Sequence, residues 1–204
     1  MRQLTEPKIV LASHNQGKLR EIAALVEPLG FAVISAGELG LEEPEETEDT
    51  FAGNARIKAH FSAKESGLPA LSDDSGIEID VLDGAPGVYT ADWAETDDGR
   101  DFMMAMTRAW TEITETKAKP PLTARFCCTL CLAWPDGHDE VFAGTVDGTL
   151  TWPPRGNKGF GYDPMFIPLG ETETFGEMDP DKKHKMSHRA DAFAKLLRGS
   201  FGAS

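Results

Sequence analysis

The 204-residue chain has no apolar run approaching the ~20 residues that a membrane-spanning helix needs. Its opening residues, "MRQLTEPKIVLAS", lack the apolar core and the small-residue cleavage site of a secretory signal peptide. We therefore expect a cytoplasmic protein that has no membrane partner.

Positive charge is also scarce. Lys and Arg number 20 against 34 Asp and Glu, which gives a formal net charge of −14. Nonspecific nucleic-acid binding relies on a broad basic surface, so we expect no nucleic-acid partner. A small polyanion in a local basic pocket is still compatible with this charge. The segment from Lys182 to Arg189 holds four basic residues and two histidines.

Cysteine is rare and confined to one segment, "RFCCTLCLAW". An odd number in one segment does not indicate a disulfide framework. On a strand, Cys127 and Cys131 would share one face and Cys128 would take the other. A metal site would need more ligands than the nearby His138, so we interpret the cysteines as small buried apolar residues.

The apolar patterns alternate between strand and helix periods. "KIVLA" predicts a buried strand, helical spacing follows from Leu19 to Val26 after a cap at Asn15, and "FAVISA" predicts a second strand. A start of this kind, strand then helix then strand, is typical of a parallel unit.

Further along, the patterns predict a helix in "TFAGNARIKAHFSAKESG", a strand in "GIEIDVL", an amphipathic helix within residues 97–117 and a hairpin around "PDGH". A last helix, "HRADAFAKLLR", takes Ser187 as its N-cap and Gly199 as its stop. We expect an α/β or mixed α+β sheet, in a single domain that spans residues 1–204.

The first candidate site is the corner "SHNQGK", which joins the first strand to the first helix. Unpaired amides in a first helical turn and the helix dipole favour an anion there. The spacing is neither that of a Walker A loop nor GxGxxG. An ordinary helix cap that binds nothing is the alternative.

Charged residues also occupy positions that favour burial. Lys58 lies on a partly apolar helix face, which fits either a snorkelling stem or a ligand-binding ammonium. Asp73 and Asp74 stand together in "SDDSG", which we interpret as a polar corner beside a strand. On extended backbone they point opposite ways, so one would brace the turn and the other would face a cleft and hold Mg²⁺. An Asx-rich turn is the alternative.

Three more segments have two readings each. The acidic run from Glu42 to Asp49 is either a solvated face or the source of a second metal carboxylate. "GFGYD" is either a tight turn or a flat platform for a base. "KKHKMSHR" places cations before the last helix, where they oppose its dipole, and this favours a bound ligand. Together these segments hold the parts of a nucleoside triphosphate site.

The motifs resemble those of the inosine/xanthosine triphosphate pyrophosphatase family, which acts on non-canonical purine nucleotides. The similarity runs nearly end to end, through "LASHNQGKLREI", "EETEDTFAGNARIKA", "ALSDDSGIEIDVLDGAPGVYTA", "GFGYDPMF" and "KMSHRADAFAKL". It implies an elongated central mixed sheet flanked by helices and two lobes with a substrate cleft between them. It also implies a homodimer, Mg²⁺ as cofactor, and cleavage of a nucleoside triphosphate into monophosphate and pyrophosphate.

The resemblance implies roles for matching residues. Asp74 would be the catalytic carboxylate, Asp73 would support it, and Glu46 and Asp74 would hold Mg²⁺. Phe160 would stack on the base. The implied substrate contacts are Ser13, His14, Asn15, Gln16, Gly17, Lys18, Lys58, Ser75, Phe160, Gly161, Tyr162, Asp163, Lys183, His188 and Arg189. Water activated by Asp74 would attack the α-phosphorus, and donors such as Arg189 would select a 6-keto purine.

The chain departs from the family pattern at several positions. Many relatives read Thr-Gly-Asn where this chain has Ser13, His14 and Asn15, and many carry Glu where it has Gly53. Arg155 and Lys158 add charge near the expected pocket without an assigned role. Two other functions remain open: a pyrophosphatase for modified pyrimidine triphosphates, and a non-enzymatic sensor of inosine triphosphate. The Glu46 and Asp74 pair disfavours the sensor, since it would repel phosphate without a metal.

Overall fold

The computed structural model describes residues 1–201. The strands are β1 (Lys8–Leu11), β2 (Ala32–Ser35), β3 (Ala70–Ile79), β4 (Glu95–Thr96), β5 (Gly99–Arg100), β6 (Thr123–Ala133), β7 (Asp139–Leu150) and β8 (Phe166–Pro168). The α-helices are α1 (Gln16–Val26), α2 (Phe51–Ser66), α3 (Phe102–Glu115), α4 (Pro180–Met186) and α5 (His188–Ser200). Short 3₁₀ turns connect several of them.

A six-stranded sheet has the order β2-β1-β3-β6-β7-β8. β1 pairs in parallel with both β2 and β3, with Val10 opposite Ile34 and Leu11 opposite Leu71. β7 and β8 pair antiparallel, and β4 and β5 form a separate two-stranded ribbon. The predicted mixed α/β sheet is confirmed, as is its parallel strand–helix–strand start.

The chain divides into two compact units. Unit 1 comprises Met1–Asp74, Cys128–Gly144 and the chain from Arg189 onward, and unit 2 comprises Ser75–Cys127 and Thr145–His188. The strands β3, β6 and β7 contribute residues to both. The single domain, and the two lobes with a cleft, stay predictions.

Unit 1 buries both faces of its part of the sheet. Alternate residues of β1, β3 and β6 pack with α1 and α5 in one apolar cluster, which includes Leu11, Ile22 and Leu196. The residues between them pack against α2 in a second cluster, with Val10 and Ala59. Neighbouring strand residues point to opposite faces. Successive residues of one strand therefore pack alternately against α1 and α5 on one face and against α2 on the other. Cys128 and Cys131 belong to opposite clusters, as the period of two predicts.

Unit 2 has its own core. Ile77 and Ile79 at the end of β3 pack with Ala105, Ala109 and other apolar residues of α3. Phe126 contacts Phe166 edge to face, with ring centroids 4.7 Å apart. The amphipathic helix predicted within residues 97–117 is confirmed as α3, although it begins five residues later, after the β4–β5 ribbon.

The predicted corner at "SDDSG" is wrong, and so is its alternative as an Asx-rich turn. β3 runs straight through these residues. Ser72 is fully buried, and its hydroxyl donates to the carbonyl oxygen of Ala55 in α2 at 2.6 Å. Its polar neighbours also find partners on the helices, so a polar segment stays extended inside the sheet.

The end of the chain also differs from expectation. Residues 180–186 form α4, and Lys183, His184 and Lys185 lie in its last turn, where cations complement the helix dipole. The inference from opposed dipoles is therefore wrong. Gly199 lies inside α5, one residue before its end. Among the described residues, no helix is long and apolar enough to cross a membrane.

Candidate active site

The corner between β1 and α1 is a capped helix start. The Asn15 side chain accepts hydrogen bonds from the amides of Gly17 and Lys18 at 2.9 and 3.2 Å. The Ser13 hydroxyl accepts from the Asn15 amide at 3.2 Å, while Gln16 is exposed. The predicted cap is confirmed. Asn15 satisfies two first-turn amides that we expected an anion to use, so the charge of Lys18 becomes the main attraction for phosphate.

Asp73 lies on the α1 and α5 side of β3 and is completely buried. Its carboxylate contacts Lys18 Nζ at 2.7 Å and Arg189 Nε at 3.0 Å, and it accepts a hydrogen bond from the Cys128 thiol at 3.0 Å. Burial alone would raise the pKa of this carboxyl, but Arg189 and Lys18 hold the pKa well below its usual range. Asp73 is therefore an anchor that is ionised at neutral pH, and it pairs with side chains of α1 and α5 rather than bracing a turn.

Arg189 lies in the first turn of α5 and is fully buried. Besides Asp73, its guanidinium contacts the carboxylate of Glu21 in α1. Burial opposes its charge, yet Asp73 and Glu21 together raise its pKa further above the usual value. An arginine held between two carboxylates has its guanidinium orientation fixed. A residue predicted to read a base is thus part of an ion network that joins α1, β3 and α5.

Asp74 points to the opposite side of β3, toward α2. Its Oδ1 lies 3.2 Å from Lys58 Nζ, and within residues 1–201 its buried Oδ2 has no hydrogen-bond partner. Burial raises the pKa of Asp74 to about 6, although Lys58 and Lys18 lower it. The carboxylate is still ionised at neutral pH, but it holds its proton far more tightly than Asp73 does.

Lys58 is buried in α2 and joins two carboxylates. Its Nζ lies 2.7 Å from Glu46 Oε1 as well as 3.2 Å from Asp74 Oδ1. Burial lowers its pKa, but Asp74 and Glu46 raise it by more, so the ammonium stays charged. The snorkelling alternative is wrong, because the charged end is inside the protein. The acidic run also does more than meet solvent, since Glu46 contacts this ammonium.

Unit 2 holds the second group of predicted residues. Asp163 is buried and accepts from the Phe160 amide at 2.8 Å and from Lys183 Nζ at 2.7 Å. The ammonium of Lys183 lies 5.1 Å from the centre of the Phe160 ring, within cation–π range. A Cβ at Gly159 would stand 2.0 Å from Asp163 Oδ2, so only glycine fits there. Asp163 thus fixes both the aromatic loop and the lysine.

The other residues predicted to contact the substrate are Tyr162, Gly161, His188 and Ser75. Tyr162 is buried in the unit 2 core, its ring edge-on to Phe102, and its hydroxyl has no hydrogen-bond partner within residues 1–201. Gly161 adopts a φ of +68°, which favours glycine. His188 stacks on Phe126 with ring centroids 5.0 Å apart, and Ser75 follows Asp74 in β3, half-buried. Their substrate contacts stay predictions.

Arg155 and Lys158 hold the loop that carries Phe160. Arg155 donates to the carbonyl oxygen of Thr172 at 3.1 Å, and Lys158 donates to that of Glu177 at 2.8 Å. The backbones of Gly156 and Gly176 touch, since a Cβ at Gly156 would meet Gly176 at 2.1 Å. Both cationic side chains therefore donate hydrogen bonds to backbone carbonyl oxygens.

The sequence model that describes the Ham1 family matches residues 9–199 of this chain. The chain belongs to the Ham1 family. It is 63% identical over 194 residues to the dITP/XTP pyrophosphatase of Ruegeria pomeroyi, a match that covers 95% of each chain. It is 59% identical over 208 residues to the dITP/XTP pyrophosphatase of Agrobacterium fabrum, which covers 97% of each.

Solved Ham1 structures have the same fold. A Ham1 protein from Coxiella burnetii superposes with a TM-score of 0.86 at 34% identity, over 95% of this chain and 98% of that one. The Staphylococcus aureus Ham1 protein gives 0.81 at 31% identity, over 94% and 96%. The central mixed sheet flanked by helices is therefore that of Ham1 proteins.

The metal ligands expected of this Ham1 member form an incomplete set. Within residues 1–201, no group of three or more His, Cys, Asp or Glu side chains could hold a metal ion. Asp74 and Glu46 are two carboxylates on one ammonium, and Oδ2 of Asp74 has no hydrogen-bond partner among the described residues. That donor set fits Mg²⁺, which uses one or two carboxylates together with substrate phosphates and waters.

Three residues of the site escaped sequence analysis. Glu21 contacts Arg189, the Cys128 thiol donates to Asp73, and the Asn54 side chain accepts from the Glu48 amide at 2.9 Å. Asn54 could have been found, because a buried amide on an apolar helix face needs a partner. Glu21 lies 168 residues from Arg189 in the sequence, and no local pattern links them.

Proposed function

We propose that this chain hydrolyses inosine, deoxyinosine and xanthosine triphosphates to the nucleoside monophosphate and pyrophosphate. That reaction would remove deaminated purines from the nucleotide pool. The names of relatives that are 52–63% identical support the proposal. The observation that carries it is Asp74, a buried carboxylate beside a buried lysine and a second carboxylate, with one oxygen that has no partner in the described part of the chain.

Glu46 and Asp74 would hold Mg²⁺. When bound with the phosphates, the ion supplies charge neutralisation and polarises the phosphoryl group. Both carboxylates lie against one ammonium, with Lys58 Nζ 2.7 Å from Glu46 Oε1 and 3.2 Å from Asp74 Oδ1, so the two groups are close to each other. We expect them to accept a divalent ion together with the oxygens of the substrate.

Asp74 would orient the attacking water and accept its proton. A general base is most effective when its pKa lies near the operating pH. Burial raises the pKa of Asp74 to about 6, close to that condition. Asp73 cannot take this role, because three partners occupy its oxygens and its pKa is well below the usual range. We therefore assign the proton transfer to Asp74 alone.

Lys18 and Lys58 would bind the triphosphate. Each ammonium is paired with a carboxylate, at 2.7 Å from Asp73 for Lys18 and 2.7 Å from Glu46 for Lys58. A triphosphate carries more negative charge than either carboxylate, so each lysine would turn part of its hydrogen bonding toward phosphate oxygens. Both ammonium groups would stabilise charge that develops on the leaving pyrophosphate.

Phe160 and Lys183 would contact the base. The Phe160 ring offers a stacking face, and the Lys183 ammonium offers hydrogen-bond donors but no acceptor. A 6-keto oxygen accepts from such donors, while the 6-amino group of adenine leaves a donor unpaired, at a cost of about 1–3 kcal/mol. We therefore expect the binding of ATP to be weakened by a free energy of this order.

Three finer expectations complete the proposal. Mg²⁺ is the expected cofactor, the homodimer is the expected assembly, and the cytoplasm is the expected location. Light scattering on the purified chain tests the dimer. Activity after chelation and re-addition of Mg²⁺ tests the cofactor.

The deciding experiment is a substrate panel. The release of pyrophosphate from inosine, xanthosine, deoxyinosine, guanosine and adenosine triphosphates is measured with Mg²⁺, alongside modified pyrimidine triphosphates. Rapid turnover of the first three alone is expected. Equal rates on all would contradict the specificity, and orthophosphate as first product would contradict the cleavage position. Binding that raises the melting temperature without turnover would favour a sensor, and a preference for pyrimidines would favour the other pyrophosphatase class.

A further inference from the structure

His14 contacts the acidic loop from the corner that begins α1. Its Nε2 lies 3.0 Å from the carbonyl oxygen of Leu41, and its Nδ1 lies 3.9 Å from Glu43 Oε2. A Cβ at Gly37 would lie 3.8 Å from the imidazole Cδ2, so the ring also rests beside that residue. The side chain is about one-third exposed, and it contacts Leu41 and Glu43 of the acidic loop.

The tautomer follows from the contact with Leu41. A carbonyl oxygen can only accept, so Nε2 must carry the proton and donate it. Nδ1 then faces the Glu43 carboxylate. The ring therefore makes one directed hydrogen bond to the loop backbone, and this bond is independent of whether Nδ1 also carries a proton.

The loop that His14 contacts carries Glu46. Residues 41–48 have no helix or strand, and most of them are exposed. The Leu41 amide donates to the carbonyl oxygen of Ala36, and the Glu48 amide donates to Asn54 at the other end. Between these ends, the Glu46 carboxylate is held by Lys58 at 2.7 Å.

The proposed reaction would weaken that middle contact. When Lys58 turns toward phosphate, Glu46 loses part of its hold at the moment when its carboxylate would be needed for the metal. The loop is then fixed by its two ends. At the first end, His14 adds a side-chain bond from the same corner that supplies Lys18.

We propose that His14 is a positioning residue that holds the acidic loop so that Glu46 stays in place for the divalent ion. This inference rests on the proposed function for its metal step. It does not make His14 a substrate ligand, the role the family resemblance implied.

The test compares His14→Leu, which removes the donor, with His14→Gln, whose amide nitrogen can reach the position of Nε2. His14→Asn is a milder loss that keeps polarity but is too short to reach Leu41. His138→Leu is the matched control, because His138 is a half-exposed histidine of unit 1 that bonds to Glu140 and not to the acidic loop.

The first readout is hydrogen–deuterium exchange of the amides in residues 42–47, without metal or nucleotide. Exchange should rise roughly fivefold in His14→Leu and His14→Asn, the effect of losing one hydrogen bond, and return toward wild type in His14→Gln. The second readout is the Mg²⁺ concentration that half-saturates hydrolysis of inosine triphosphate. It should rise about 10-fold in His14→Leu, more than KM for the nucleotide does.

Several outcomes would overturn the proposal. Unchanged amide exchange of the loop in His14→Leu would show that the His14 hydrogen bond does not hold the loop. Failure of His14→Gln to restore the slower exchange would show the same. Faster exchange with an unchanged Mg²⁺ requirement would leave His14 no part in positioning Glu46. Equal effects in His138→Leu would show a general loss of stability. If wild type does not hydrolyse the triphosphate, the proposed function fails, while the exchange result still decides the contact.

Discussion

Asp73 and Asp74 are neighbours on β3, and the two sides of that strand set them in opposite electrostatic surroundings. On the α1 and α5 side, Asp73 meets Lys18, Arg189 and the Cys128 thiol. On the α2 side, Asp74 meets one ammonium, which it shares with Glu46, and keeps a buried oxygen without a partner among residues 1–201.

One strand thus carries a fully paired carboxylate on one face and, on the other, the carboxylate that we propose as the reactive group. A carboxylate whose oxygens are taken by cations is low in free energy when ionised and has nothing left to offer a substrate. A carboxylate that burial leaves under-satisfied has its pKa raised toward neutrality and keeps an oxygen for a metal, a water or a proton.

The largest effect is expected from Asp74→Asn. The amide keeps the shape of the side chain but cannot accept a proton or bind a metal well, so kcat/KM for inosine triphosphate should fall about 1000-fold. Pyrophosphate release measures the loss, and the urea midpoint should stay at or above that of wild type. A kcat/KM within 10-fold of that of wild type would contradict a catalytic role for Asp74.

Asp73→Asn should act on stability first. It leaves Arg189 buried with one fewer carboxylate, and breaking a buried ion pair costs about 3–5 kcal/mol of unfolding free energy. Urea denaturation in metal-free buffer measures this cost. Asp139→Asn is the control, because Asp139 pairs with Arg56 and His60 near the surface and its loss should cost about 1 kcal/mol or less. Similar losses in both variants would contradict the anchor role.

The pH dependence of stability should differ in sign between the two aspartates. The folded-state pKa of Asp74 is raised from 3.8 to about 6, so the folded protein binds that proton more tightly than the unfolded chain does. Relative to Asp74→Asn, wild type should lose roughly 2–3 kcal/mol of stability as pH rises from about 4 to 6. The pKa of Asp73 is lowered, so its contribution is complete above pH 3.8 and is lost as pH falls further.

Urea titrations at several pH values, with EDTA present, measure this dependence. The comparison of wild type with Asp74→Asn cancels the groups that both proteins share. A gain in stability of wild type relative to the variant between pH 4 and 6 would contradict the raised pKa.

The smallest effect is expected from Cys128→Ala. It removes the thiol donor to Asp73 and should cost about 1 kcal/mol, while Cys128→Ser keeps a donor and should cost less. Cys131→Ala is the matched control, since Cys131 is equally buried but packs on the α2 side. Equal costs for Cys128→Ala and Cys131→Ala, measured in urea, would show that the thiol does nothing for Asp73.

Local patterns predicted most of the elements. The periods of "KIVLA" and "FAVISA" and the cap at Asn15 depend on neighbouring residues, and all are confirmed. The opposite directions of Asp73 and Asp74 also followed from extended backbone alone. The error at "SDDSG" has a tertiary cause, because polar residues stay in a strand when helices on both faces offer partners.

The candidate site was predicted less completely, because its pairings are remote in sequence. Lys58 could be noticed as a lysine on a partly apolar face, but its two carboxylates come from a loop and a strand. The pairing of Arg189 with Glu21, and that of Cys128 with Asp73, depend on how α1, β6 and α5 pack. No spacing rule within any one element contains that information.

The adjacency of the two aspartates limits which changes of length β3 can accept. Inserting or deleting one residue between Leu71 and Asp73 would shift the strand by half its repeat and exchange the faces of the two carboxylates. Asp74, the proposed general base, would then face Arg189, and Asp73, the anchor, would face Lys58. Substitutions here alter one role at a time, whereas a single-residue insertion or deletion would reverse both. We therefore expect the length of this segment to be less variable among functional descendants of this chain than any one of its side chains.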